Sequence, residues 1–380
     1  MAERYFKEPY EFVPPYRSTL WCRLFEPLIP RTLKNQHLVK RCHFVGLDRL
    51  RSLIADGTGL LLAPNHSRLA DTTSMAMLSI QVRKYFYYAA SAHLFRQNRR
   101  DRWLMNRLGA FSIYREGADR ESLKECSRII GEAERPLVVF PEGTWFRQND
   151  RLGPLQDGVG LMVRQAAKKH DRPVAVLPIA IKYWYLNDPR PAFDKALTGL
   201  EKDLTWKPQN DLDYVARIEK LSDAFLTLKE IEFLGAPQQG GLTDRMNSFI
   251  HEVAVQIESH WRTVARGNHD LERIRAVRQK LAKMLTEVGD DAATEAKIRR
   301  DLDALLLCEV VRMHSQDYLR ERPSFERIGE AIQRLEESRS DRDVPLAPMG
   351  VVVTVGQPLM VENYNREKED RRGPDPLMED

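Results

Sequence analysis

A histidine and an aspartate, His66 and Asp71, stand where an apolar run breaks, in LLLAPNHSRLAD over residues 60–71. A buried strand leading into a Pro-Asn turn would present His66, with Asp71 in the helix that follows. A separation of five is poor for one helix face, whose neighbours recur at three and four. The pair therefore meets only if His66 lies in the turn. The carboxylate then accepts from one ring nitrogen and the other serves as a base. Taken alone the pattern is weak. A surface histidine in a loop and an aspartate capping a helix, beside Thr72 and Thr73, would look the same.

Three further segments carry polar groups at the ends of apolar runs. GAFSIYR, residues 109–115, reads as a short strand with Phe111 and Ile113 on one face, ending in Arg115. An arginine there is placed to grip a phosphate or carboxylate with its planar fork, although a solvated edge arginine is the plain alternative. LVVFPEGTWFR, residues 137–147, runs from a buried strand into a turn. In it Gly143 lets backbone approach a ligand, and Glu142 and Thr144 supply polar groups. An ordinary strand-ending turn would read alike. VLPIAI, residues 176–181, is by itself a core strand.

In this order the four segments resemble the phospholipid and glycerol acyltransferase family. That family carries NHxxxxD, a GxxFxxR-like block, FPEGTRS and a V-x-P-[IV] strand. Here they stand as NHSRLAD, GAFSIYR, FPEGTW and VLPI, over roughly residues 40–190. The resemblance implies that His66 deprotonates an acceptor hydroxyl and that Asp71 orients it. It gives Arg115, Glu142, Gly143 and Thr144 a part in holding the acceptor, and Pro178 a place in the floor of the site. The arginine usual after EGT is replaced by Trp145, and Arg147 two residues on is the candidate to stand in for it. A lysine common after the first motif is replaced within ASAH, residues 90–93. These two departures weaken the case for a phosphate-bearing acceptor and leave the acyl-transfer core in place. The chemistry is coherent. An alcohol is a weak nucleophile near neutral pH, and a general base contributes about 10²–10⁴-fold. A thioester is already activated, so neither a metal nor a covalent enzyme intermediate is required.

The elements that must position these residues follow from the apolar patterning. Strands are expected at 60–63, 85–89, 111–114, 137–140 and 174–182, with helices at 120–133 and 159–169 between them. That alternation predicts an α/β layered domain. By the resemblance it is of the glycerolipid-acyltransferase type, with an additional mostly helical C-terminal region. Within residues 1–35, Leu20, Trp21, Leu24, Phe25 and Leu28 recur at helical spacing before and across Pro27. Past residue 186 the pattern changes: a short strand at 231–234, then charged helices over 241–338, including 271–285. A last strand falls at 350–355, and a charged tail at 366–372. No fixed-period repeat is evident. Typical members of the family close their domain on a strand followed by G-x-P, which is echoed twice, at 230–237 and at 351–358. The first is favoured. The expected division is an amphipathic segment 1–35, an acyltransferase domain 36–265 and a mostly helical region 266–380.

Composition narrows the function classes. At 42% hydrophobic and 30% charged residues the chain suits a globular protein and excludes wholesale disorder. Cys22, Cys42, Cys126 and Cys308 are too far apart for a CxxC site and read as reduced structural thiols. No metal-ligand cluster is visible, and no cofactor is expected beyond the acyl donor. The net charge of +4 is too small to imply nucleic acid. The basic stretch 81–107, with seven Lys/Arg against Asp101 alone, lacks an RNP-like or zinc-finger signature. No apolar run nears the roughly 18 residues that span a bilayer, and MAERYFKEPYEF has no apolar core of a secretory signal. Cytoplasmic residence is expected, with peripheral contact on an anionic membrane. The reading is an enzyme moving a fatty acyl group from acyl-CoA or acyl carrier protein to a hydroxyl of a lysophospholipid or glycerol-phosphate-type acceptor. It is 1-acylglycerol-3-phosphate O-acyltransferase-like by resemblance, which places it in phospholipid biosynthesis. The alternatives are a thioester hydrolase and a non-catalytic lipid-binding protein on the same fold.

Overall fold

The computed structural model describes residues 5–117, 119–144, 147–263, 270–313, 316–340 and 342–361. The chain forms two units: Tyr10–Asn187 with Pro348–Asp380, and Met1–Pro9 with Asp188–Ala347.

The first unit opens with helices α1 (Leu20–Phe25) and α2 (Leu28–Asn35), then strand β1 (Val39–Val45) and helix α3 (Leu47–Ala55). Next come β2 (Gly59–Pro64), α4 (Ala70–Gln81), β3 (Tyr87–Ser91), α5 (Leu94–Gln97) and α6 (Arg99–Arg107). They are followed by β4 (Ala110–Ile113), α7 (Arg120–Glu132), β5 (Leu137–Val138), α8 (Gly158–Lys169) and β6 (Val174–Tyr185). After the second unit the chain returns with β7 (Met349–Val355) and β8 (Leu359–Met360). Among the described residues the strands form one eight-stranded sheet in the order β1-β7-β6-β2-β5-β3-β4, with β8 also beside β6. From β6 through β2, β5, β3 and β4 every pairing is parallel, and β7 and β8 run antiparallel to β6. This is the expected layered α/β architecture.

Both sheet faces are covered, which explains why β2 is apolar without alternation. Leu60, Leu62, Leu177 and Ile179 pack with Leu50 of α3 and with Met75 and Leu78 of α4. Leu61, Leu137, Val174 and Val176 pack on the other side with Ile129 of α7 and Val163 of α8. Along β6, alternation appears only past Leu177, where Pro178, Ala180 and Lys182 are exposed while Ile179, Ile181 and Tyr183 stay buried. The free edge of β4 is covered by the N-terminal segment: Ser112 N donates to Val13 O at 3.1 Å and Val13 N to Ser112 Oγ at 2.8 Å. Covering an edge in this way removes a template for aggregation.

The second unit is helical: α9 (Arg190–Leu204), α10 (Tyr214–Leu234), α11 (Leu242–His260), α12 (Asp270–Glu287), α13 (Ala292–Met313), α14 (Gln316–Glu321) and α15 (Phe325–Ser340). The strand expected at 231–234 is the last turn of α10. The G-x-P that closes the sheet is therefore the second one: β7 lies between β1 and β6, and Gly356 N donates to Pro178 O at 2.8 Å. The units do not follow the division at 265. Residues 188–347 interrupt the sheet-bearing unit between β6 and β7. Helical periodicity in 187–265 was masked by short apolar runs that fit a strand equally well.

A repeat also emerges. Arg217 of α10 forks onto Glu201 of α9, with Nε to Oε1 at 2.7 Å and Nη2 to Oε2 at 2.9 Å, and reaches Asp194 and Thr198. One helix later Arg245 of α11 forks onto Glu230 of α10, with Nε to Oε1 at 3.0 Å and Nη2 to Oε2 at 2.6 Å, and reaches Asp223 and Thr227. Gln209 N and Gln238 N each donate to the matching glutamate at 3.0 Å. Arg273 of α12 grips Glu258 of α11 in the same manner. The hairpin module is thus used twice in overlap, with a third Arg–Glu fork beyond it. Gly235 takes the left-handed conformation at the end of α10, φ 84°, and the matching position after α9 is Trp206, φ 61°, 89% exposed.

Candidate functional site

In a parallel sheet the C-terminal ends of neighbouring strands share one edge, where ligand sites of such sheets gather. Strands β2, β5, β3 and β4 bring to that edge His66, Glu142 with Gly143, Ser91 at the last position of β3, and Arg115. The separate sequence segments are joined by hydrogen bonds. His66 N donates to Glu142 Oε1 at 2.6 Å, Arg115 Nη1 donates to Gly143 O, and Arg115 Nε donates to Ser91 Oγ at 3.1 Å. Ser91 Oγ in turn lies 2.8 Å from His93 Nδ1.

The His–Asp pair forms as the spacing required. His66 lies in the loop after β2, and Asp71 sits in the first turn of α4, fully buried. Asp71 Oδ2 lies 3.0 Å from His66 Nδ1 and accepts from the backbone N–H groups of Ser67 at 2.7 Å and Arg68 at 2.8 Å. The start of a helix also favours a negative charge. Because an ionised carboxylate only accepts, the proton in this pair belongs on Nδ1, which leaves Nε2 of the neutral ring as the nitrogen able to accept a proton. The ring stacks on Phe140, centroids 4.1 Å apart, and the His66 side chain keeps 13% exposure.

Two asparagines hold this corner. Strand β6 runs on past the end of β2, and its next backbone groups would face no partner strand. Asn65 Nδ2 donates to Ile181 O at 3.0 Å, and its Oδ1 accepts from Ile181 N at 2.6 Å. Asn149 does the same for Tyr183, at 2.8 Å to the carbonyl and 2.9 Å from the N–H. The two amides continue the ladder in place of β2.

Glu142 is 3% exposed, and both its oxygens are engaged by backbone: Oε1 by His66 N, Oε2 by Gly153 N at 2.7 Å. Burial pushes its carboxyl above the ordinary range, and the His66 and Gly153 donors pull it partway back. Its geometry fixes the histidine loop rather than offering oxygens to an acceptor. Gly143 has φ 73°, a left-handed conformation that a side chain would strain. Thr144 lies half-buried in the same turn, and Arg147 is 1% exposed. Trp145 lies outside the described residues. Pro178 is exposed on the sheet face that carries Val174 and Val176, with its carbonyl bonded to Gly356 N.

Sequence reasoning missed Tyr183. Its hydroxyl donates to Asp71 Oδ1 at 2.7 Å and lies 3.1 Å from Ser74 Oγ. The available signal was a tyrosine at an inward position of β6, in register with Ile179 and Ile181. Burial first, and then the Asp71 charge, drive its phenol well above the ordinary value.

Residues 41–182 match the protein-family model described as Acyltransferase. The match begins in β1, ends in β6 and contains every site residue named above from Asn65 to Pro178. It supports a general acyltransferase role for this unit. No curated protein matches the chain.

Proposed function

We propose that the protein transfers a fatty acyl group from the thioester of acyl-CoA or acyl carrier protein to a hydroxyl of a lysophospholipid or glycerol-phosphate-type acceptor. The reading is carried by the His66–Asp71 pair, with Nδ1 and Oδ2 at 3.0 Å and the carboxylate fully buried. His66 Nε2 takes the hydroxyl proton as the oxygen attacks the thioester carbonyl. The tetrahedral intermediate collapses, the C–S bond breaks, and the thiolate recovers the proton from the imidazolium as free thiol. Asp71 fixes the tautomer and stabilises the imidazolium. Arg115, exposed beside Gly143, supplies a charge for an acceptor phosphate.

An acceptor and product that live in a bilayer require access to one, and no helix among the described residues is long and apolar enough to cross a membrane. Peripheral docking on an anionic surface meets that need. Lipid mass spectrometry after incubation with acyl-CoA and a panel of lysolipids and alcohols tests the activity. An acylated lipid, lost in His66→Ala and reduced about 10²–10⁴-fold in Asp71→Asn, is the expected result. Free fatty acid as the sole product would make the protein a thioester hydrolase. Wild-type-like turnover in His66→Ala would remove the mechanism.

A further inference from the structure

We infer that Tyr183 is a positioning residue for the His66 base, acting through the otherwise unshared oxygen of Asp71. The inference rests on the acyl-transfer reading for its kinetic test and on geometry alone for the rest. Three donors converge on Asp71 Oδ2: His66 Nδ1, Ser67 N and Arg68 N. Oδ1 takes the Tyr183 hydroxyl at 2.7 Å. Since a carboxylate cannot donate, the phenol proton points at Asp71, and the Ser74 hydroxyl, 3.1 Å away, donates to the phenol oxygen. The arrangement is a relay of Ser74, Tyr183, Asp71 and His66, from helix α4 through β6 and back.

Tyr183 is itself held hard. It is 1% exposed, and both its backbone groups are clamped by Asn149. Its ring lies under the Arg68 guanidinium, 5.5 Å from the centroid. The other charged group near the pair is Glu142, which faces the His66 backbone; Lys182, on the exposed face of β6, pairs instead with Asp150. None of these others reaches Asp71 Oδ1 by a hydrogen bond that the structure records. A buried carboxylate oxygen without a donor carries its charge undiluted toward His66. The Tyr183 bond therefore restrains how strongly Asp71 holds the imidazolium proton, and sets the carboxylate plane that aims the ring.

Tyr183→Phe keeps the ring and removes the donor. The acid limb of the kcat profile should move to higher pH, by on the order of half a unit. Turnover should fall roughly tenfold, the scale on which partners behind a functional ligand act, with both KM values nearly unchanged. Ser74→Ala, which touches only the phenol oxygen, should move the limb the same way and less. Near-ultraviolet circular dichroism of both variants establishes that they fold. The His66 ring signal, titrated by NMR without substrate, should move with the limb. An acid limb and ring signal that stay in place in a folded Tyr183→Phe overturn the inference, whatever happens to kcat. A wild-type enzyme that transfers no acyl group overturns instead the activity on which the kinetic test depends, and the ring titration still decides the role of Tyr183.

Discussion

Glu142 illustrates how a glutamate of the FPEGTW segment can hold the His66 loop from behind. Its carboxyl fastens the His66 loop to Gly153 by two backbone N–H groups. Burial raises its folded value above the unfolded one. A raised acid contributes stability that is fully present below the unfolded value and lost as pH rises through the folded value. Wild type should therefore lose stability relative to Glu142→Gln as pH climbs from the ordinary carboxylate range toward neutrality. Thermal unfolding of both proteins across that range checks this, and parallel curves would show that Glu142 does not titrate there. The substitution should also depress kcat, because an amide cannot accept from both N–H groups without turning a donor on one of them.

At the scale of elements, the asparagine ladder and the Arg–Glu forks each make a sharp prediction. Asn149→Ala orphans the N–H and carbonyl of Tyr183 in a buried strand, at a cost of about 1–3 kcal/mol for each group before relaxation. Chemical denaturation should report the loss, and kcat should fall with it because the same strand carries the Asp71 partner. In the helical unit, Arg245→Met strands Glu230, which is fully buried. Breaking a buried pair from one side costs roughly 3–5 kcal/mol. Replacing both partners by apolar residues should restore most of it. A single variant as stable as wild type, measured by denaturation of the full chain, would show that the fork carries little weight.

The whole molecule presents a surface that neither segment forms alone. The rings of Trp21 and Phe25 on α1 stack with centroids 5.9 Å apart, and Trp103 of α6 meets them at 4.9 and 6.5 Å. Around them Leu20, Leu24 and Leu28 are exposed, as are Arg17, Arg23, Arg31, Arg99, Arg100 and Arg102. The helix expected to run through Pro27 is broken there into α1 and α2. The apolar surface is thus short, and exposed arginines flank it. Each basic side chain near an anionic leaflet contributes about 1 kcal/mol, enough in sum for reversible docking. Sedimentation with liposomes should show binding that requires anionic lipid, falls with salt and weakens in Leu20→Ala/Leu24→Ala. Protein that stays in the supernatant at every composition would point to a soluble acceptor or a carrier-delivered one.

The sequence alone determined what depends on neighbours in the chain. The run of leucines before Asn65 read as a buried strand, and a histidine in the turn after it could meet an aspartate in the next helix. The layered α/β class, strand β4 at one end of the sheet and the order of the four segments were legible for the same reason, whereas β1 at the other end was not expected. Tertiary structure decided what depends on distant pairing. Which G-x-P closes the sheet rests on β7 finding β1 and β6 across the helical insertion, a choice that local pattern leaves open. Tyr183 reads as one more buried strand residue until β6 is laid beside α4. The recurring aspartate, threonine, glutamate, Pro-Gln and arginine positions were present in the chain, yet their spacing carried no visible meaning until two helices folded back and each arginine met the glutamate of the helix before it.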